Sequence, residues 1–288
     1  MRVLLLGGGG QVGRAVAQSL AANHQVIVKT HADLDIVDES AVDRVVAEAG
    51  ADWIVNGAAY TAVDLAEDQP ALATAVNDTA VGILARAAAR SGARLLHLST
   101  DFVFDGESNR AYLPSDATGP LGVYGASKLA GELRVLQGGA GGIVLRTAWV
   151  YAAAGKNFVL TMLRLMRESE QVRVVGDQIG TPTWAGGLAP AIWDLMDAGA
   201  PAGVYHWTDL GVASWYDFAV AIQDEALERG LLARAASIVP ISTAEYPTRA
   251  RRPAFSVLDT SATRALIATP AVHWRHNLRM MLNELRTW

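Results

Sequence analysis

Met1-Arg2-Val3-Leu4-Leu5-Leu6-Gly7-Gly8-Gly9-Gly10-Gln11-Val12-Gly13 opens the chain and sets an apolar run directly against a glycine-rich turn. Residues 1–6 read as a strand, and the alanine-rich stretch that follows Gly13, to about Ala22, reads as a helix. Gly7, Gly10 and Gly13 recur every third position, the G-x-x-G-x-x-G form of a dinucleotide fingerprint. In such a turn the first glycine permits the tight bend and the second lets backbone N–H groups approach a pyrophosphate. The third lets the helix pack closely on the sheet. The helix start adds partial positive charge for the phosphates. Four consecutive glycines could equally form a loose loop, so the reading depends on whether strands and helices continue to alternate.

They do. Strands are expected at Gln25–Lys29, Trp53–Asn56, Arg94–Ser99 and Gly142–Thr147, with helices at Asp38–Ala49 and Ala71–Ser91 between them. This series predicts an α/β fold, a Rossmann-type doubly wound parallel sheet with ligands at the carboxyl ends of its strands. From Tyr151 the periodicity is mainly helical, at Asn157–Ser169, Ala189–Ala198, Ser214–Arg229 and Thr260–Ile267, with one strand at Gly203–Trp207. Ser214 suits a helix N-cap, and Pro182 and Pro201 mark loops. The expected organisation is an NAD(P)-binding Rossmann domain over residues 1–150. Residues 151–288 would be a smaller, mixed α/β, mainly substrate-binding domain, interleaved with late elements of the first.

Composition narrows the partners. A hydrophobic fraction of 51%, a charged fraction of 18% and a formal net charge of −5 fit a soluble globular enzyme and argue against a nucleic-acid-wrapping surface. Without cysteine there is no disulfide framework or thiolate chemistry, which fits the cytoplasm. The apolar run at Val3–Leu6 is too short to span a bilayer and lacks the form of a signal peptide, so no membrane partner is expected. The six histidines form no metal-spaced pair on a predicted helix, and no metal site is expected.

Two further features bear on chemistry. Tyr124 and Lys128 stand four apart in a chain whose only other lysines are Lys29 and Lys156. Chance would give a Tyr-x-x-x-Lys only about 0.07 times here. On a helix the pair shares one face, and a neighbouring ammonium should lower the phenol's pKa towards neutrality, making Tyr124 a candidate proton donor. At the end of the second strand, where an acidic residue would hold a ribose 2′-hydroxyl, the chain has Lys29-Thr30-His31. A cation, a hydroxyl and an imidazole suit a 2′-phosphate, so NADPH is the expected cofactor, with NADH as the alternative.

The glycine turn, the segment Leu98-Ser99-Thr100-Asp101 and the Tyr124/Lys128 pair together resemble the extended short-chain dehydrogenase/reductase superfamily. Longer strings are similar to the dTDP-4-dehydrorhamnose reductase family in particular. They include Asn56-Gly57-Ala58-Ala59-Tyr60-Thr61-Ala62-Val63-Asp64, Ser99-Thr100-Asp101-Phe102-Val103-Phe104-Asp105-Gly106 and Val123-Tyr124-Gly125-Ala126-Ser127-Lys128. Arg146-Thr147-Ala148-Trp149-Val150-Tyr151, Gly180-Thr181-Pro182-Thr183 and Tyr246-Pro247-Thr248-Arg249-Ala250-Arg251-Arg252-Pro253 follow in order. The resemblance implies reduction of the 4-keto group of dTDP-4-dehydro-β-L-rhamnose to dTDP-L-rhamnose, with Thr100, Tyr124 and Lys128 as the catalytic set. It implies cofactor contacts from Gly7, Gly10, Gln11, Val12, Gly13, Thr30, Asp35, Ile36, Ala59, Tyr60, Thr61, Tyr124 and Lys128. Thr100, Asp101, Tyr124, Trp149, Asn157 and Arg252 would meet the nucleotide-sugar substrate.

Two rival readings remain at this level: a reductase or epimerase of another nucleotide sugar, and a non-catalytic subunit resembling the β subunit of methionine adenosyltransferase. Phe102 stands where dehydratases of the superfamily carry a second carboxylate, which favours plain reduction. The intact Thr100, Tyr124 and Lys128 weigh against a purely regulatory role. The oligomeric state is open, a homodimer being one option.

Overall fold

The computed structural model describes residues 1–19 and 24–285. Its principal strands are β1 (Arg2–Leu6), β2 (Gln25–Lys29), β3 (Trp53–Asn56), β4 (Arg94–Thr100), β5 (Ile143–Thr147), β6 (Gln171–Val175), β7 (Gly203–His206) and β8 (Ser237–Ile241). The longer helices are α1 (Gln11–Gln18), α2 (Glu39–Ala49), α3 (Ala80–Ser91), α4 (Val123–Gln137), α5 (Phe158–Glu168), α6 (Ala185–Asp197), α7 (Trp215–Glu228) and α8 (Trp274–Glu284).

Six strands form one sheet in the order β7-β5-β4-β3-β1-β2, every neighbour parallel. Alternate side chains of each strand face opposite sides, so both faces must be covered by helices. Leu4, Leu6, Ile54, Leu95 and Val144 point to one side and pack with Val42, Val46 and Leu84 from α2 and α3. Val3, Leu5, Trp53, Leu96 and Leu145 point to the other side and pack with Val16 of α1 and Leu188, Ile192 and Leu195 of α6. The sheet is therefore doubly wound, as expected. Its order reverses between β1 and β3, and a crevice forms there beyond the strand ends.

A separate hydrophobic cluster gathers Val159, Leu163 and Met166 of α5, Phe218 and Ile222 of α7, and Leu278 and Met281 of α8 around β6. β6 and β8 pair in parallel away from the large sheet. Ser214 caps α7 through a reciprocal pair with Asp217. No helix of the described residues is long and apolar enough to cross a membrane.

Several elements differ from expectation. The helix after the glycine turn runs from Gln11 to Gln18, and the part expected up to Ala22 falls outside the described residues. The single helix expected at Ala71–Ser91 is broken by a π-helical turn at Ala75–Thr79, which turns Asn77 inward. Its Oδ1 accepts the Tyr60 N–H, and its Nδ2 donates to the Tyr60 carbonyl and the Ser127 hydroxyl, so the extra residue ties the end of β3 to α4. The strand expected at Gly203–Trp207 ends at His206 and belongs to the main sheet beside β5. The helix expected over Thr260–Ile267 shrinks to Ser261–Arg264. β6, β8 and α8 were not expected at all.

Candidate active site

The turn after β1 is shaped by two glycines that nothing larger could replace. Gly7 takes φ +75°, and a Cβ there would meet Ala58 N at 2.5 Å. A Cβ on Gly13 would sit 2.3 Å from the Gly7 carbonyl oxygen. The first therefore makes the left-handed bend beside β3, and the second lets α1 press against the turn. The N–H groups at the start of α1 then open onto a crevice of about 430 Å³. Its floor is Gly7, Gly9 and Gly10, and one wall is Lys29, Thr30 and His31 with Asp35 and Ile36 beyond. Ala59 and Tyr60 after β3 form the other wall. Gly10, Thr30, Asp35, Ile36, Ala59 and Tyr60 are thus brought together as expected.

Gln11, Val12, Gly13 and Thr61 do not line this crevice. Val12 packs on the α1 side of the sheet, and Gln11 is turned away to accept the Asn157 amide at 2.8 Å. Thr30 uses its hydroxyl and N–H on Asp33 Oδ2, at 2.7 and 2.8 Å. A carboxylate therefore stands near the Lys29 cation, a feature that Lys29-Thr30-His31 alone does not reveal.

The catalytic candidates gather at the carboxyl end of β4 and the start of α4. Thr100 ends β4, and its hydroxyl accepts the Phe102 N–H at 3.2 Å while donating to Asp101 Oδ1 at 3.1 Å. It thus caps the following turn, and it stands near enough to the Tyr124 phenol to oppose the rise in that group's pKa. The Phe102 ring stands edge-on to Tyr124 at 5.6 Å and limits where that phenol can swing. Lys128 is buried, with Nζ donating to the Leu98 carbonyl oxygen at 2.7 Å and lying 3.1 Å from His97 Nε2. Burial brings the Lys128 amine down to about 8.

One expectation must be corrected. Tyr124 is not acidified: burial pushes its phenol up to about 12, Thr100 opposes this, and Asp101 reinforces it. Lys128 contributes nothing to that shift, because its nitrogen is held against β4. Spacing places both residues on one face of α4 but does not aim the amine at the phenol. Asp101 is itself buried, which raises its carboxyl to about 6 despite the opposing Ser256 and Thr100 hydroxyls; Thr100 donates to its Oδ1, while its Oδ2 has no hydrogen-bond partner among the described residues.

A second cleft, of about 460 Å³, lies over the other cluster. Phe158 and Trp215 offer aromatic faces, Gln178 and Thr248 polar groups, and Arg252 a guanidinium. Trp149 follows β5 with φ +46°, an uncommon conformation for a residue with a side chain. Its indole lies flat on Trp215, with ring centres 3.4 Å apart and planes 2° from parallel. Arg252 clasps Asp64 at 3.1 and 2.7 Å, and Glu67 of the same short helix accepts the Val123 N–H at the start of α4. The arginine loop is therefore linked to the helix that carries Tyr124.

Asn157 takes a different part from the expected one. It is the N-cap of α5, with Oδ1 accepting the Leu160 N–H at 3.0 Å. Both hydrogens of its amide are engaged by Gln11 and the Ala152 carbonyl, so it braces the loop instead of offering its amide to substrate. Sequence reasoning gave no role to His97, Phe158, Gln178, Trp215 or Ser256, and read Phe102 only as a missing carboxylate. Their positions come from distant segments, and no spacing marks them. Among the described residues no group of His, Asp and Glu side chains could hold a metal ion.

Residues 1–287 match the family model described as the RmlD substrate binding domain. A dTDP-4-dehydrorhamnose reductase of Burkholderia thailandensis is 43% identical, covering 99% of each chain. The crystal structure of a dTDP-4-dehydrorhamnose reductase from Clostridium acetobutylicum superposes with a TM-score of 0.94 at 35% identity, over 100% of both chains. That of the Bacillus anthracis reductase, in complex with NADP, gives a TM-score of 0.93 at 34% identity, covering 98% of this chain and 99% of the other.

Proposed function

Because this chain belongs to the RmlD substrate binding domain family, that of the dTDP-4-dehydrorhamnose reductases, we propose that it reduces the 4-keto group of dTDP-4-dehydro-β-L-rhamnose to give dTDP-L-rhamnose, using NADPH. The observation that carries the reading is the convergence of Thr100, Tyr124 and Lys128 where β4 meets α4, beside the crevice floored by the glycine turn.

The residues present fit the cofactor. The turn has no side chain to obstruct a pyrophosphate, α1 begins at that turn, and the crevice is closed by the end of β2 and by residues 59–60. Bound there, NADPH would supply the hydride for C4. Tyr124 passes its phenolic proton to the carbonyl oxygen as that carbon is reduced. Thr100 donates to the same oxygen and stabilises the charge that grows on it. Lys128 stands one turn away to offset the tyrosinate that remains. A phenol raised to about 12 holds its proton firmly at neutral pH, which suits a donor that must stay loaded until hydride arrives.

The cleft beside Trp215 suits the nucleotide end of the substrate. Its aromatic walls offer stacking for a base, and Arg252 offers a fork to the pyrophosphate. The division into a Rossmann domain at residues 1–150 and a mainly substrate-binding domain at 151–288 belongs to the same reading. It is supported by the cluster around α5, α7 and α8, while β7 and α6 return to the large sheet.

The test is consumption of NADPH by the purified protein with and without dTDP-4-dehydrorhamnose. Oxidation should require the sugar nucleotide, and Tyr124→Phe should cut kcat by about 10²–10⁴ while still binding cofactor. A protein that binds NADPH but never oxidises it with this substrate would leave the subunit reading standing.

A further inference from the structure

Arg252 lines the second cleft, and a carboxylate of the short helix Val63–Asp68 holds it there. Asp64 meets the guanidinium end-on: Oδ1 accepts from Nη1 at 3.1 Å and Oδ2 from Nη2 at 2.7 Å. Nη1 also donates to the Ala250 carbonyl oxygen at 3.1 Å. A guanidinium carries five N–H donors in one plane, so three are engaged and two are left. Those two are Nε–H and the second hydrogen of Nη2, and neither has a partner among the described residues. Nη2 lies on the same side of the guanidinium as Nε–H. The two free hydrogens therefore point together, as a second fork on the edge next to the one that Asp64 occupies. Such a fork matches two oxygens of a phosphate. The side chain keeps 22% of its surface exposed, so an edge without a protein partner is available to a ligand.

The backbone around Arg252 is fixed on both sides. Ala250 is buried, its N–H donates to Asp64 Oδ1 at 3.1 Å, and its carbonyl also accepts the Thr248 hydroxyl at 3.0 Å. Arg249 pairs with Asp68 of the same short helix. Pro253 lies against Gly106, where a Cβ would come within 2.6 Å of the proline Cβ. Arg252 holds the Asp64 carboxyl below the usual carboxylate range, so the pair is charged at neutral pH. A phosphate taking the end-on edge would break both carboxylate bonds and leave Asp64 facing another negative charge. The side edge asks for neither. Glu67 adds a second link. It accepts the Val123 N–H at 2.8 Å, where Gly122, the N-cap of α4, has no side chain to offer. Arg252 and the helix that carries Tyr124 thus take their places from one six-residue helix. A substrate anchored by its phosphates at the first has its reacting carbon placed relative to the second.

We propose that Asp64 is a positioning residue of the substrate site: with the Ala250 carbonyl it occupies three donors of Arg252 and presents Nε–H and Nη2–H as a fork to the substrate pyrophosphate, staying in place when substrate binds. This rests on reading the cleft as the nucleotide site of the reductase. Asp64 never touches the substrate and acts through Arg252 alone.

Calorimetric titration of the full chain with dTDP, and with thymidine as the ligand lacking phosphates, tests this without turnover. Asp64→Asn keeps the shape but sets an amide N–H₂ against Nη2, so the guanidinium loses its end-on clasp. The Kd for dTDP should rise about tenfold while that for thymidine stays within twofold. In an Arg252→Ala background the same substitution should change nothing further, because its effect passes through the missing guanidinium. Arg252→Lys keeps a cation for Asp64 but has no fork, and it too should lose about tenfold towards dTDP. An Asp64→Asn protein that binds dTDP as the wild type does, or more tightly as a released latch would, overturns the proposal. So does a loss that adds fully to that of Arg252→Ala. If Asp64→Asn does not fold, Arg252→Lys decides, and unchanged dTDP affinity in it is equally fatal. A wild type that binds no dTDP at all refutes the nucleotide-site reading and this inference with it, whereas normal wild-type binding with an unmoved Asp64→Asn refutes this inference alone.

Discussion

Replacing Gly13 by alanine should loosen the glycine turn and weaken NADPH binding, whereas the same substitution at Gly82 should stabilise the protein. At Gly13 the new Cβ would lie 2.3 Å from the Gly7 carbonyl oxygen, 2.8 Å from Gly8 Cα and 2.9 Å from the Gly7 carbonyl carbon. All three are backbone atoms that cannot rotate away, and carbon contacts settle at roughly 3.5–4.0 Å, so α1 must retreat by about 1 Å. Overpacking of this kind costs about 1–3 kcal/mol. At Gly82, inside α3, the nearest atom to a Cβ is Arg134 Cδ at 3.4 Å, the middle of a flexible side chain. There alanine gains helix propensity, about 0.5–1 kcal/mol. Thermal unfolding should move by roughly 2–4 °C per kcal/mol, downward for Gly13→Ala and upward for Gly82→Ala. The retreat of α1 also withdraws its N–H groups from the pyrophosphate, so the NADPH Kd of Gly13→Ala should rise by about tenfold, the equivalent of about 1.4 kcal/mol. Fluorescence titration with NADPH reads this directly. A Gly13→Ala protein that melts with the wild type and binds NADPH within twofold would refute the close-packing argument.

Three other outcomes follow from the geometry. Asp101 is held near 6, above its unfolded value, so its folded form retains a proton that the unfolded chain releases, and stability from this group falls as pH rises from about 4 to 6. Asp101→Asn should therefore gain stability relative to wild type by about 2–3 kcal/mol between pH 4 and pH 8, and denaturant melts that show a pH-independent difference would exclude it. Arg252→Ala should raise KM for the sugar nucleotide about tenfold or more with kcat little changed, since one charge-assisted pyrophosphate contact is lost, and steady-state kinetics with an unchanged KM would remove Arg252 from the site. Arg146→Leu would leave Glu132 buried without its cation, costing about 3–5 kcal/mol, and a melt within a degree of wild type would contradict the assigned pairing.

The large sheet was legible because its signals are local. β1, β2 and β3 begin and end within one residue of expectation, since apolar runs bounded by glycine or polar residues need no distant partner to be recognised. The second half was harder for a physical reason. β6 and β8 pair through Gln171 and Ser237, 66 positions apart in the sequence, and each strand has meaning only against the other. α8 carries Trp274, Leu278, Met281 and Leu282 at helical spacing, so its buried face was present in the sequence although no helix was assigned there. Trp149 and Gly180 show a different limit. A Cβ on Gly180 would strike the Trp149 indole at 2.5 Å, so the glycine is needed only because a tryptophan from another segment lies there.

The candidate site was legible in identity more than in energy. Thr100, Tyr124 and Lys128 stand where the motifs placed them, yet the acidifying effect expected of Lys128 on Tyr124 is absent in the free protein, where burial raises the phenol instead. A four-residue spacing fixes which side of a helix two groups share, and the field at the phenol depends further on where the amine's hydrogens are directed. Here Leu98 and His97 both lie on β4 and draw the nitrogen towards the sheet. The phenol, left with Thr100 and the partly protonated Asp101, keeps its proton.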